Sequence, residues 1–237
     1  MNNTKSGAHI VDLSHSLIPS KEQYKLTVSP QEIRKGPKAV LYDVDFWTHV
    51  GTHVEYALHF IPFSNDMAKL PLRRVIGPAV RVDMRSKEVN EPIDIEDFEP
   101  YDIQKGDIVT IWTRCEPYYR TTKSHDRPYV TKRAAEWLAN DLEIRSLGID
   151  ASGFEVRGGK EYEPNHFLFF DREDPIPVYE CLRGLGELKH NRYFFITLPL
   201  SVEEVDSWPL RILGIEGQDE DHNLTIVGQL SEIFSSL

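Results

Sequence analysis

The chain has 237 residues, 40% of them hydrophobic, enough to bury a large core in a single domain of one or two layers. Its formal net charge of −11, with no Lys/Arg stripe to neutralise phosphates, excludes a nucleic-acid binder and suits small-molecule substrates or metal cations. No apolar run approaches the roughly 18 residues of a membrane-spanning helix, so no membrane role is expected.

Residues 1–8 are polar and lack the apolar stretch of a signal peptide; they read as a short disordered lead-in to a domain over 9–237. Short β-branched or aromatic runs bounded by Gly, Pro or Asp predict strands at 40–46, 79–84, 108–112, 147–150, 193–198 and 210–215. The stretches 85–106, acidic with Pro92 and Pro100, and 114–128, polar with two tyrosines, read as excursions from the core. One helix is predicted after a cap at Thr131, with Ala134, Ala135, Trp137, Leu138 and Leu142 on one face, and a weaker one at 202–205. No internal repeat or composition break divides the chain, so the expected class is α/β: one mixed, sheet-rich domain with few helices. Cys115 and Cys181 read as reduced thiols of a cytoplasmic protein.

Between these elements, His49-Val-Gly-Thr-His53-Val-Glu55-Tyr-Ala-Leu-His59 puts three histidines and a carboxylate into eleven residues. Imidazole nitrogen and carboxylate oxygen are first-choice ligands for zinc and similar divalent ions. All four side chains stand at odd positions and share one face of an extended strand. A straight strand would nevertheless hold His49 and His53 about 13 Å apart, too far for one ion. The chain must bend, and Gly51 at the midpoint tolerates the bulge or positive φ this needs. Val50, Gly51, Thr52 and Val54 disfavour a helix, so the ligands are placed on a bent strand end running into a loop. The competing reading makes these histidines ordinary polar residues of a half-buried strand. His166 and Glu180, fourteen residues apart, offer a further imidazole and carboxylate, a weak signal by itself. Tyr24, Phe46, Trp47 and Phe60 surround the motif in sequence and could stack on a planar substrate ring, although aromatic residues there also serve as core. His9, His15, His125, His190 and His222 lack partner spacing and read as surface or structural.

The block from His49 to Phe60 resembles the HxGTHxDxPxHF signature of the cyclase family of metal-dependent hydrolases, which includes bacterial kynurenine formamidase and isatin hydrolase. Asp12-Leu13-Ser14, Gly148-Ile149-Asp150, His166 with its apolar followers, and Trp208-Pro209-Leu210-Arg211 before Gly214 are also similar, so the likeness runs along nearly the whole chain. It implies a swivelling β/β/α fold and a homodimer or larger assembly. It implies His49, His53 and Glu55 as metal ligands, His166 and Glu180 as completing a two-metal centre of zinc or manganese, and His59 as general acid/base. The implied reaction is hydrolysis of an amide or lactam in a small, aromatic molecule, with metal-activated water as the nucleophile.

Two positions depart from the signature: Glu55 stands where the family has Asp, and Ala57 where it has Pro. The added methylene moves the carboxylate by roughly 1 Å, so one tight metal and a second, weaker one are expected. Cys181 also follows Glu180 where asparagine is common. The rival readings are a catalytically silent metal- or small-molecule-binding protein and a Lewis-acid cyclase or dehydratase. Neither Cys115 nor Cys181 lies in a nucleophile motif.

Overall fold

Nine strands form one mixed sheet in the computed structural model, which describes residues 7–32, 39–156 and 165–237. In chain order the strands are β1 (His9–Asp12), β2 (Leu26–Glu32), β3 (Val40–Phe46), β4 (His53–Glu55), β5 (Ile76–Asp83), β6 (Pro92–Ile93), β7 (Ile108–Trp112), β8 (Tyr129–Val130), β9 (Ser146–Ile149), β10 (Val178–Glu180), β11 (Arg192–Thr197), β12 (Ser207–Pro209) and β13 (Ile212–Glu216). The helices are α1 (Ile95–Phe98), α2 (Lys132–Glu136), α3 (His166–Phe170) and α4 (Glu220–Ile233). The sheet order is β1-β13-β11-β5-β7-β9-β10-β4-β12. Its centre, β5 through β10, is parallel, and antiparallel strands extend it on both sides. The fold is therefore the expected sheet-rich α/β architecture with few helices.

Strand alternation divides the interior into two apolar layers. Val80, Val82, Val109 and Ile111 point to one face, where Leu138 and Ala135 from the α2 segment, Phe154 and Phe169 cover them. Ala79, Ile108, Tyr179 and Tyr193 point to the other, beneath α4. A central parallel sheet covered on both faces needs near-continuous apolar strands, which is why β5, β7 and β9 are legible as short β-branched runs.

The predicted strands at 40–46 and 108–112 coincide with β3 and β7, and the other four are shifted by a few residues. β4 is the strand end on which the ligands were placed; β1, β2, β10 and β12 were not foreseen, and three of these are only three or four residues long and defined by their neighbours in the sheet. Thr131 does cap α2, its hydroxyl accepting from the Ala134 amide, and the helix continues through a wider turn at Trp137–Asp141. No helix forms at 202–205. There the chain turns with Glu204 at φ 61°, and the Glu204 amide donates to Asp66. α4, absent from the expectations, spans 14 residues behind an Asp219 cap, yet only Asn223 and Val227 are fully buried along it. So sparse an apolar stripe leaves little periodic signal. The first presumed excursion is also corrected: within it β6 pairs with β8, and Ile93 and Phe98 are fully buried in the core.

Of the expected lead-in, residues 1–6 lie outside the described residues. Cys115 and Cys181 are buried free thiols. Among the described residues no helix is long and apolar enough to cross a membrane. β2 and β3 pair only with each other, forming a two-stranded ribbon beside the main sheet.

Candidate metal centre

The site grows from β4, which lies between β10 and β12. Antiparallel register sets His53 opposite Glu180 on one side and Pro209 on the other, while Glu55 faces Val178 and Ser207. Opposed residues share a face, so His53, Glu55 and Glu180 emerge together, and Val54 with Tyr179 enters the core behind. Gly51, at φ 74°, makes the bend that returns His49 to this face; a Cβ there would lie 2.3 Å from Leu17 Cδ2. After Glu55 a single tight turn, Ala57–His59, brings His59 back to the cleft. His166 enters as the first residue of α3, with Phe60 stacked on its ring at 4.8 Å.

Glu55 is the hub. Its Oε1 lies 2.8 Å from His49 Nδ1, 3.3 Å from His53 Nε2 and 3.9 Å from His59 Nε2, and its Oε2 lies 2.9 Å from His166 Nε2. Each histidine is held from behind through its other ring nitrogen. His53 Nδ1 donates to the Gly51 carbonyl at 2.8 Å, and His166 Nδ1 bonds Glu155. His49 Nε2 and His59 Nδ1 both meet Asp206 Oδ2, at 2.9 and 2.8 Å. Orientation by an outer carbonyl or carboxylate is the usual setting of a metal-binding imidazole.

The electrostatics follow from burial and these contacts. Burial opposes ionisation of Glu55, but the imidazoles of His166, His49 and His53 set against it hold its carboxyl well below the usual range. Burial lowers His49, yet Asp206 and Glu55 prevail and raise it to about 10. His166 is likewise raised to about 10, against burial, by Glu155 and Glu55. Burial and the nearby Glu55 charge push Glu180 up to about 7.

The residues fit a divalent cation. His49, Glu55 and His59 form one group of converging ligand atoms, and His53, Glu55 and Glu180 a second, each within 4.8 Å, with Glu55 common to both. His53, bonded to Gly51 through Nδ1, turns Nε2 toward two carboxylates, 3.3 Å from Glu55 and 3.8 Å from Glu180. Glu55 Oε2 and His166 Nε2 are buried and close, yet neither has an aligned hydrogen bond. Nitrogen and oxygen donors converging in this way suit a divalent metal ion.

Tyr24, Phe46 and Trp47 line the mouth of a cleft of about 610 Å³ whose floor carries His49, His53, Glu55, His59 and Glu180. Phe60 packs behind His166 instead of on this wall. A larger cavity, about 720 Å³, lies elsewhere among Arg73, Arg74, Arg145 and Arg172, whose guanidinium groups bond backbone carbonyls, Asn140 and Asp174. Sequence reasoning missed Asp206 and Glu155. Glu155 follows the Gly148-Ile149-Asp150 motif and Asp206 precedes Trp208-Pro209, so proximity to those motifs was the available signal. The remaining histidines make other contacts: His9 bonds Glu216, His15 stacks on Tyr119 at 4.0 Å, His125 meets Ser152 Oγ, and His190 bonds Glu220.

A mixed sheet whose strand ends gather histidines and carboxylates into an aromatic-lined cleft has the architecture of a metal-dependent hydrolase. The chain belongs to the cyclase family: the family model described as "Putative cyclase" matches residues 11–156. It is 26% identical over 164 residues to kynurenine formamidase of Geobacillus thermodenitrificans, covering 69% of this chain and 74% of that protein. Isatin hydrolase A from Labrenzia aggregata, solved with benzyl benzoate, has the same fold, with TM-score 0.76, 20% identity and coverage of 88% and 93%. A solved "Potential Metal-Dependent Hydrolase With Cyclase Activity" is 27% identical, with TM-score 0.71 and coverage of 88% and 98%.

Proposed function

We propose that this protein hydrolyses an amide or lactam C–N bond in a small aromatic molecule, using zinc or manganese held by His49, His53, Glu55, His166 and Glu180. The observation that carries the reading is Glu55, whose carboxylate belongs to both ligand groups at the floor of an aromatic-lined cleft. An ion bound there would supply Lewis acidity toward the substrate carbonyl and bring water into its reactive range near neutral pH. His59 takes and returns the proton: it stands at the cleft wall, its Nδ1 is held by Asp206, and its Nε2 faces the ligand cluster. Trp47, Tyr24 and Phe46 give the planar substrate a stacking surface, with the Tyr24 and Trp47 rings 5.9 Å apart. Glu180, neutral or ionised near pH 7, adjusts the charge of the second ligand group.

The working protein is a cytoplasmic homodimer in this reading. Cross-strand register places Leu26, Val28, Pro30, Tyr42, Val44 and Phe46 on one face of the ribbon and Thr27, Ser29, Gln31, Leu41, Asp43 and Asp45 on the other, mostly polar one. Tyr42 and Val44 on the apolar face are 59% and 52% exposed. A lone two-stranded ribbon is marginally stable in water, so a second copy of the chain is the fitting cover. Light scattering of the wild type and of a Val28→Lys/Val44→Lys variant should show a dimer and a monomer; a monomeric wild type would remove this part.

The central test joins metal analysis of the purified protein to turnover of N-formyl arylamines, isatin-like lactams and simple esters. Zinc or manganese with hydrolysis of the first two classes is expected. A metal-replete protein that turns over none of the panel would overturn the hydrolase reading.

A further inference from the structure

One acid outside the signature touches two of its histidines through the same atom. Asp206 Oδ2 lies 2.9 Å from His49 Nε2 and 2.8 Å from His59 Nδ1. The carboxylate is itself fixed: Oδ1 accepts from Thr48 Oγ1 at 3.0 Å, the Asp206 carbonyl accepts from the Tyr56 amide at 2.9 Å, and Ser207 Oγ donates to the Thr48 carbonyl at 2.9 Å. Asp206 therefore enters with β12, a strand laid against β4 itself, so the element carrying Glu55 also registers the acid against the histidines.

An ionised carboxylate only accepts hydrogen bonds, so each nitrogen facing it must carry the proton. For His49 that nitrogen is Nε2 and for His59 it is Nδ1. In the metal-free protein His49 Nδ1, 2.8 Å from Glu55, also carries a proton, which a bound cation would replace; the nitrogens then left toward the site are His49 Nδ1 and His59 Nε2, the latter 3.9 Å from Glu55. The two rings are 4.5 Å apart, and each could otherwise adopt either tautomer.

We propose that Asp206 is the positioning residue of the site, one carboxylate oxygen that locks His49 and His59 in opposite tautomers and so assigns Nδ1 of the first to the metal and Nε2 of the second to proton transfer. The inference rests on the roles given to His49 and His59 above. It extends them by explaining why two neighbouring histidines on one face do different work.

The test uses protein labelled with ¹⁵N at histidine, read by ring nitrogen NMR in the zinc-loaded wild type and in Asp206→Ala. Zinc affinity of the metal-free proteins is measured by chelator competition, and kcat and KM on whichever panel substrate is turned over. In the wild type His49 should carry its proton on Nε2 and His59 on Nδ1. In Asp206→Ala His59 should pass to a mixture of tautomers, zinc affinity should fall about 10- to 100-fold, and kcat should fall over the same range with KM within about threefold. Wild-type His59 protonated on Nε2, a result that needs no variant to fold, would overturn the proposal. So would Asp206→Ala with wild-type tautomers and zinc affinity. Failure of the whole substrate panel would count against hydrolysis alone, because the nitrogen and zinc measurements decide Asp206 without turnover.

Discussion

The parallel centre of the sheet and its β10-β4-β12 side obey the same alternation rule and use it for opposite ends. In β7, Val109 and Ile111 go to one apolar layer and Ile108 to the other. In β4, Val54 still enters the core, but the alternate positions hold His53 and Glu55, and the facing strand adds Glu180. Burying these polar groups costs free energy that no apolar contact returns; they are tolerable because they neutralise one another and would be satisfied by a cation. Single buried polar groups occur elsewhere, as at Arg81, Thr110 and Glu216, but the side where imidazoles and carboxylates gather against one another is the site.

The sharpest way to break the comparison is to truncate one residue on each side. His53→Ala should empty the metal site and abolish turnover while the chain stays folded; full metal content after dialysis against a weak chelator would remove His53 from the ligand set. Ile111→Ala, at the centre, should cost about 2–5 kcal/mol in a denaturant titration, yet leave metal content unchanged in the folded fraction.

Within the site, binding and catalysis should separate next. His59→Gln is expected to keep the metal and to lower turnover by roughly 10²–10⁴. Loss of metal together with activity would instead make His59 a ligand, a role open to it because its ring belongs to the His49–Glu55 group.

The pH response should differ in sign between metal-free stability and metal affinity. His49 and His166 are raised from 6.5 to about 10, so their stabilising contribution is fully present below pH 6.5 and is lost as pH rises through about 10. Glu180, raised from 4.5 to about 7, acts in the same direction over a lower window. The melting temperature of the metal-free protein should therefore fall between pH 7 and pH 10. Zinc affinity should rise over the lower part of that interval, because the ion displaces those protons. A metal-free melting temperature that rises with pH would contradict the charge arrangement around Glu55.

The smallest expected effect concerns acid length. Titrating the metal-free protein with Zn²⁺ or Mn²⁺ should show one tight event and one weak one, and Glu55→Asp should strengthen the second. Two equally tight ions in the unaltered protein would show that the backbone around Gly51 and Ala57 already absorbs the extra methylene.

What could be read from sequence was whatever is local or periodic. The β-branched runs of β3 and β7, the Thr131 cap, and the demand that Gly51 bend the chain between His49 and His53 all follow from residue type and spacing within a few positions. Nomination of His166 and Glu180 needed resemblance as well, since fourteen residues with no common period connect them. Asp206 had only its place two residues before Trp208-Pro209 to mark it: it is separated from His59 by 147 positions and becomes its neighbour only because β12 pairs with β4. The same holds for α4, whose thin apolar stripe is helical by virtue of what it covers, and for the tautomers of His49 and His59. Residue chemistry and short-range geometry are written into the chain directly, whereas which nitrogen faces which carboxylate depends on strand register between distant segments, and that is settled when the sheet closes.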